Sequence, residues 1–131
     1  MKEPAPKVDL RSRASRERLA KMVVSLLEHW KLPLNDQASL LGLSAQSRST
    51  IARYRRGEPF ADSADLLARA GHVLGIHKAL RILFPQDRDL AYRWVSAPNR
   101  RFGERAPLEI MKQGFEGLIA VRRYLDFERG R

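Results

Sequence analysis

The sequence holds no cysteine, which excludes disulfide frameworks, thiolate nucleophiles and cysteine metal clusters and makes an intracellular address the easier expectation. Valine, isoleucine and threonine together supply only 12 residues, against 18 leucines and 15 alanines. Strands would lack their preferred material, so an all-α fold is predicted. Apolar runs are short: Leu118-Ile119-Ala120-Val121 is typical, far below the roughly 20 residues that a membrane-spanning helix needs. The first residues carry Lys2, Glu3, Pro4 and Pro6 and lead into no apolar h-region. No secretory signal is visible, and a cytoplasmic location without membrane contact is expected.

Histidine is scarce too. His29, His72 and His77 are the three, and the step of five between the last two keeps them off one helix face, so no metal site is expected. Asp87 and Asp89 point in different directions on a helix, Gly71-x-x-x-Gly75 sits in a helical stretch rather than a phosphate loop, and no nucleophile has an evident base. Neither an enzyme nor a cofactor is expected.

Positive charge is what the chain has in excess. Lys and Arg number 25 against 15 Asp and Glu, a formal +10 on 131 residues, which points to an anionic partner, either nucleic acid or an acidic protein surface. Residues 1–60 hold 12 basic and 6 acidic side chains and residues 61–131 hold 13 and 9, so both halves share the surplus.

Residues 1–14 read as a flexible basic arm, either a solvated tail or a segment laid along a phosphate backbone. Ser15 is the expected cap of a first helix, whose Leu19, Met22, Val23, Leu26, Leu27 and Trp30 recur at three-four spacing. Asn35 is expected to cap a second helix through Leu41, with Gly42 where it stops. A third helix is predicted over about 47–56, ending at Gly57. Asp62 reads as the cap of a fourth helix buried through Leu66, Leu67, Ala70, Val73 and Leu74, followed by a separate helical segment from Ile76 to Phe84. Beyond Pro85 come a helix over about 87–96, a Pro98-Asn99 break, a short helix after Pro107 and a last helix over about 114–127. The expected division is arm 1–14, helix-turn-helix domain 15–84 and C-terminal domain 85–131.

Ala38 and Gly42, four apart and surrounded by Leu41, Leu43 and Ile51, form the pattern of a helix-turn-helix: a small residue for close approach, a glycine for the turn and apolar residues that seat the second helix. The run Arg48-Ser49-Thr50-Ile51-Ala52-Arg53-Tyr54-Arg55-Arg56-Gly57 resembles the recognition-helix region of Xre-type, lambda-repressor-like proteins. Leu66 to Ile76 resembles their fourth helix, including its Ala-Gly-His-Val-Leu-Gly-Ile ending. Ala45-Gln46-Ser47 departs from the family as a three-residue insertion, which starts the recognition helix a turn later or tilts it. Guanidinium and hydroxyl groups suit purine edges and phosphates. Arg48, Ser49 and Arg53 are expected at base edges, Thr50, Arg55 and Arg56 mainly at phosphates, with Gln46 beside them. A basic helix that is merely solvated is the alternative.

In the C-terminal part, Trp94, Pro98-Asn99, Phe102-Gly103, Pro107-Leu108, Gly117-Leu118, Val121 and Tyr124-Leu125 stand in the order of the toxin-binding domain of the Xre/MbcA/ParS antitoxins, which they resemble. The resemblance implies an antitoxin that neutralises a RES-domain, NAD-consuming toxin and represses its own operon by binding operator DNA. Pro98, Asn99, Gly103 and Pro107 shape a rigid elbow on which Arg100, Arg101 and Arg105 cluster, either as contacts for an acidic toxin surface or as a solvated basic loop, and the resemblance makes Arg122, Arg123 and Arg129 near the chain end candidate toxin contacts. A homodimer is expected because two-fold operators match two-fold proteins. The fourth helix and Leu80 to Phe84 are candidate dimer surfaces, with core packing as the alternative. A stand-alone dimeric repressor and a non-specific nucleic-acid binder are the competing readings.

Overall fold

The computed structural model describes residues 9–44 and 46–131. The first eight residues of the expected arm, and Ala45 of the insertion, lie outside the described residues. The described chain is all-helical, as expected: α1 (Arg13–His29), α2 (Leu34–Leu40), α3 (Arg48–Arg55), α4 (Ala64–Leu83), α5 (Arg88–Arg93), α6 (Pro107–Met111) and α7 (Phe115–Arg129), with short 3₁₀ turns at Trp94–Ser96 and Arg100–Phe102.

Three helix starts differ from expectation, each for a local reason. Ser12, not Ser15, caps α1, because Ser12 has the extended backbone a cap requires and its hydroxyl accepts from the Ser15 amide at 3.1 Å. The described end of the expected arm is therefore ordered: α1 begins at Arg13, and Arg11 pairs with Asp62. Helix α2 begins at Leu34 after an extended Pro33, which puts Asn35 inside the helix, where its Oδ1 accepts from Nε of Arg48 at 3.3 Å. Ser63 caps α4 by accepting from the Leu66 amide, while Asp62 holds Arg11. Nor does a boundary fall at Ile76: α4 runs unbroken for 20 residues.

Helices α1 and α2 end in the same way. Past α1, the Leu32 amide reaches the Leu27 carbonyl and the Lys31 amide that of Glu28, with Lys31 in the left-handed region. Past α2, Leu43 bonds Ala38 and Gly42 bonds Ser39, with φ of +71° at Gly42. Both are Schellman closures, which satisfy the last carbonyls and turn the chain sharply. Gly42 has a second reason to be glycine: a Cβ there would meet Nε of Arg69 at 2.6 Å.

One apolar core runs from Ala20 on α1 to Leu125 on α7. Leu66, Ala70, Val73, Ile76, Ala79 and Leu80 of α4 are buried in it, and Leu118, Val121 and Leu125 of α7 close it from the other side. Leu80 therefore belongs to the core, and within Leu80 to Phe84 only Arg81 and Ile82 are exposed. Gly117 lets α7 lie on α6: a Cβ there would overlap the Ile110 carbonyl. Gly117→Ala should accordingly destabilise the fold by about 1–3 kcal/mol despite alanine's better helix propensity, read as a lower midpoint in chemical denaturation. An unchanged or higher midpoint would show that the two backbones can separate freely.

Candidate DNA-binding and partner-binding surfaces

Ile51 and Tyr54 turn one side of α3 into the core, where Tyr54 meets Phe60 edge-on at 4.8 Å. The helical period then sets what faces out. Ser49 and Arg56 lie opposite the buried side, Arg53 beside them, and Arg48 and Thr50 on the flanks. Gln46 stands exposed in the turn ahead of the helix. Arg48 is steadied by Asn35, and Arg53 reaches Thr50 Oγ1 at 3.4 Å and Glu58 at 3.5 Å. Arg55 is the exception among the seven candidates. It lies next to Ile51 and is ion-paired with Glu28 of α1, so it does not share the outward face. Sequence reasoning missed Asn35 as the support of Arg48, because asparagine is a favoured helix cap and Asn35 reads as one.

The elbow after α5 is wound around Asn99. Its side chain accepts from the Arg101 amide at 2.9 Å, its own amide donates to the Arg105 carbonyl, and its carbonyl accepts from the Phe102 and Glu104 amides. Gly103 and Glu104, both with φ of +66°, complete the turn. Arg100, Arg101 and Arg105 are thereby displayed together and exposed, with Arg100 3.8 Å from Glu104. Beneath them Trp94, Phe102 and Tyr124 pack ring on ring, with centroids 5.2 to 6.3 Å apart, and fix the elbow to α7.

The three remaining arginine candidates do not form one cluster. Arg122 lies across Gly75 of α4, where a Cβ would meet its guanidinium, and donates from Nη1 to Nδ1 of His72 at 3.1 Å. It is a packing residue between α4 and α7. Arg123 is exposed, and Arg129 stands 3.9 Å from Asp126.

Two contacts tie the C-terminal segment to the helix-turn-helix. Lys112, just past α6, pairs with Asp36 of α2 at 3.1 Å, and that hydrogen bond holds its ammonium above the ordinary lysine range. Arg69 of α4 covers Gly42, pairs with Asp65 at 2.9 Å and stacks 5.7 Å over the ring of Phe115 on α7. Neither contact was legible beforehand, since each joins residues more than 25 positions apart or on faces set only by packing.

Burial, then the Arg122 charge, pushes the His72 imidazole below its ordinary range; burial, then Arg81 and His29, does the same to His77. Both therefore take up protons less readily in the fold than in the unfolded chain, so stability is complete above the ordinary imidazole value of about 6.5 and falls as the pH drops below it. Thermal melts between pH 7.5 and 5.5 should show this loss, and His72→Gln should flatten it; equal slopes in both proteins would remove His72 from the account.

Among the described residues no group of three or more His, Cys, Asp or Glu could hold a metal ion, and no helix is long and apolar enough to cross a membrane. A relative from Sinorhizobium fredii (strain NBRC 101917 / NGR234), "Uncharacterized protein y4oB", is 37% identical over 106 residues, covering 80% of this chain and 79% of the relative. Residues 10–75 match the model of the antitoxin Xre-like helix-turn-helix domain, and residues 79–131 that of the antitoxin Xre/MbcA/ParS C-terminal toxin-binding domain. With an outward basic recognition helix on the first segment and a rigid arginine-bearing elbow on the second, the chain belongs to the Xre/MbcA/ParS family of antitoxins.

Proposed function

We propose that the chain is the antitoxin of a type II toxin-antitoxin system, which represses its own operon through α3 and neutralises a RES-type, NAD-consuming toxin through its C-terminal part. The observation that carries the reading is the succession of the two antitoxin domains along one chain. The working division is residues 15–84 for DNA and 85–131 for the toxin. A two-fold homodimer reads a two-fold operator in the cytoplasm, where both operon and toxin lie.

Gln46, Arg48, Ser49, Arg53 and Arg56 supply the DNA contacts, with Thr50 orienting Arg53. Arg55 acts as a brace between α3 and α1. Arg100, Arg101, Arg105, Arg123 and Arg129 meet an acidic toxin surface, and Arg122 keeps α7 in place behind them.

Co-expression with the adjacent open reading frame tests the whole reading. Growth should stop when the neighbour is expressed alone, NAD should fall, and this chain should restore both. A harmless neighbour, or no rescue, would leave a stand-alone dimeric repressor as the better account. Base reading is tested separately. Arg48→Ala should cost about 1–3 kcal/mol on operator DNA and relax preference at one base position, whereas Arg55→Ala should leave sequence preference unchanged. Equal losses for Arg48→Ala on operator and random duplexes would reduce Arg48 to a phosphate contact.

A further inference from the structure

Helix α2 supports the recognition helix, yet little in its own sequence holds it in place. It has 7 residues, well below the roughly 12 at which a helix begins to persist alone, and it starts after Pro33, which offers its first turn no side-chain acceptor. Its main packing partner is α3, the helix it supports. The far end of α2 is fixed by the closure at Gly42, with Arg69 laid across it. The near end is fixed by two side chains. Buried Gln37 donates from Nε2 to the Leu32 carbonyl at 3.0 Å, and Asp36 holds Nζ of Lys112 at 3.1 Å.

The second of these anchors comes from outside the helix-turn-helix. Lys112 lies in the segment that matches the toxin-binding domain, just past α6, with Glu109 flanking its ammonium at 3.7 Å. Asp36 follows Asn35 directly in the first turn of α2, so the backbone that Lys112 anchors is the backbone that carries Asn35. Asn35 in turn accepts from Nε of Arg48 at 3.3 Å. An exposed arginine has many rotamers of similar energy, and holding one of them costs entropy on binding unless the fold has selected it beforehand. With Nε engaged by Asn35, Nη1 and Nη2 remain as a donor fork, the pair that matches O6 and N7 of guanine.

We infer that Lys112 is a positioning residue for DNA recognition: through Asp36 and Asn35 it holds Arg48 in the rotamer that presents this fork, so the C-terminal segment takes part in reading the operator. The inference rests on the proposal that α3 reads base edges, and it gives a part in that reading to a residue outside the helix-turn-helix.

The test selects the full chain's preferred site from a random duplex library and then titrates that site beside a random duplex. Lys112→Met keeps the length of the side chain and removes its charge. It should relax preference at the same base position as Arg48→Ala and weaken binding to the selected site by about 5- to 10-fold, with no more than about a twofold change on the random duplex. Lys112→Arg should retain the original preference. Asn35→Ala leaves the Lys112–Asp36 pair in place and should reproduce the effect of Lys112→Met, and adding Lys112→Met to Arg48→Ala should weaken binding by no more than about a further twofold. Helical circular dichroism at the assay temperature should be retained throughout. Equal losses of Lys112→Met on selected and random duplexes would make Lys112 a phosphate contact, and full additivity with Arg48→Ala would route its effect elsewhere. Either result overturns the inference and leaves base reading by α3 intact, as does an unchanged preference in Lys112→Met beside a relaxed one in Arg48→Ala. Unchanged preference in Asn35→Ala breaks the relay and overturns the inference even where Lys112→Met loses helical signal. If Arg48→Ala relaxes no position, base reading by Arg48 falls and the inference falls with it.

Discussion

Helix α4 has two jobs, and its packing against α7 lets it do both. Its buried residues meet α1 on one side and α7 on another, so a single 20-residue rod completes the core of the helix-turn-helix segment and founds that of the C-terminal segment. The close approach depends on missing side chains as much as on present ones. Gly75 leaves the space that the Arg122 guanidinium fills, and Gly117 leaves the space that the α6 backbone fills. Filling Gly117 would force α6 and α7 apart, because packed interiors have little free volume to absorb a methyl group, whereas filling Gly75 would displace the Arg122 guanidinium.

This shared rod explains why the two functional segments are mechanically joined. Lys112 reaches Asp36 on the helix just before the turn, and Arg69 touches both that turn and Phe115. The first pair is partly shielded from solvent, with side-chain exposures of 30% and 20%, and the Arg69 side chain is 15% exposed. Bonds of this kind hold geometry, since breaking one leaves a charge in poor solvent. A shift of α6 or α7 would therefore be felt at α2 and Gly42, the two features that aim α3.

Much of this was legible from residue types alone. The scarcity of β-branched residues gave the helical class, three-four spacing gave the buried stripe of α1 except for Met22, which is exposed, and Gly42 marked the turn. Caps were less legible, since Ser12 and Ser15, Asn35 and Pro33, or Asp62 and Ser63 are chemically interchangeable choices a few residues apart. Backbone conformation and competing partners decide among them: Asp62 is taken by Arg11, and Asn35 by Arg48. The arginines were least legible. Composition cannot distinguish Arg55, spent on Glu28, or Arg122, laid over Gly75, from Arg56 or Arg123, which face solvent.

That distinction recasts the surplus of +10. Exposed pairs such as Arg53 with Glu58 or Arg100 with Glu104 contribute little to stability, typically less than about 1 kcal/mol each, so an approaching phosphate or carboxylate can displace the resident partner at small cost. Shielded cations such as Arg69 and Lys112 cannot be exchanged in that way without loosening the joint between the two segments. The resident glutamates also screen Arg53 and Arg100 from random polyanions, which favours ligands that offer several acceptors in the right places over ligands that offer charge alone. Net charge attracts anionic groups to the whole surface, and the local pairing of each arginine decides how readily it can be reached.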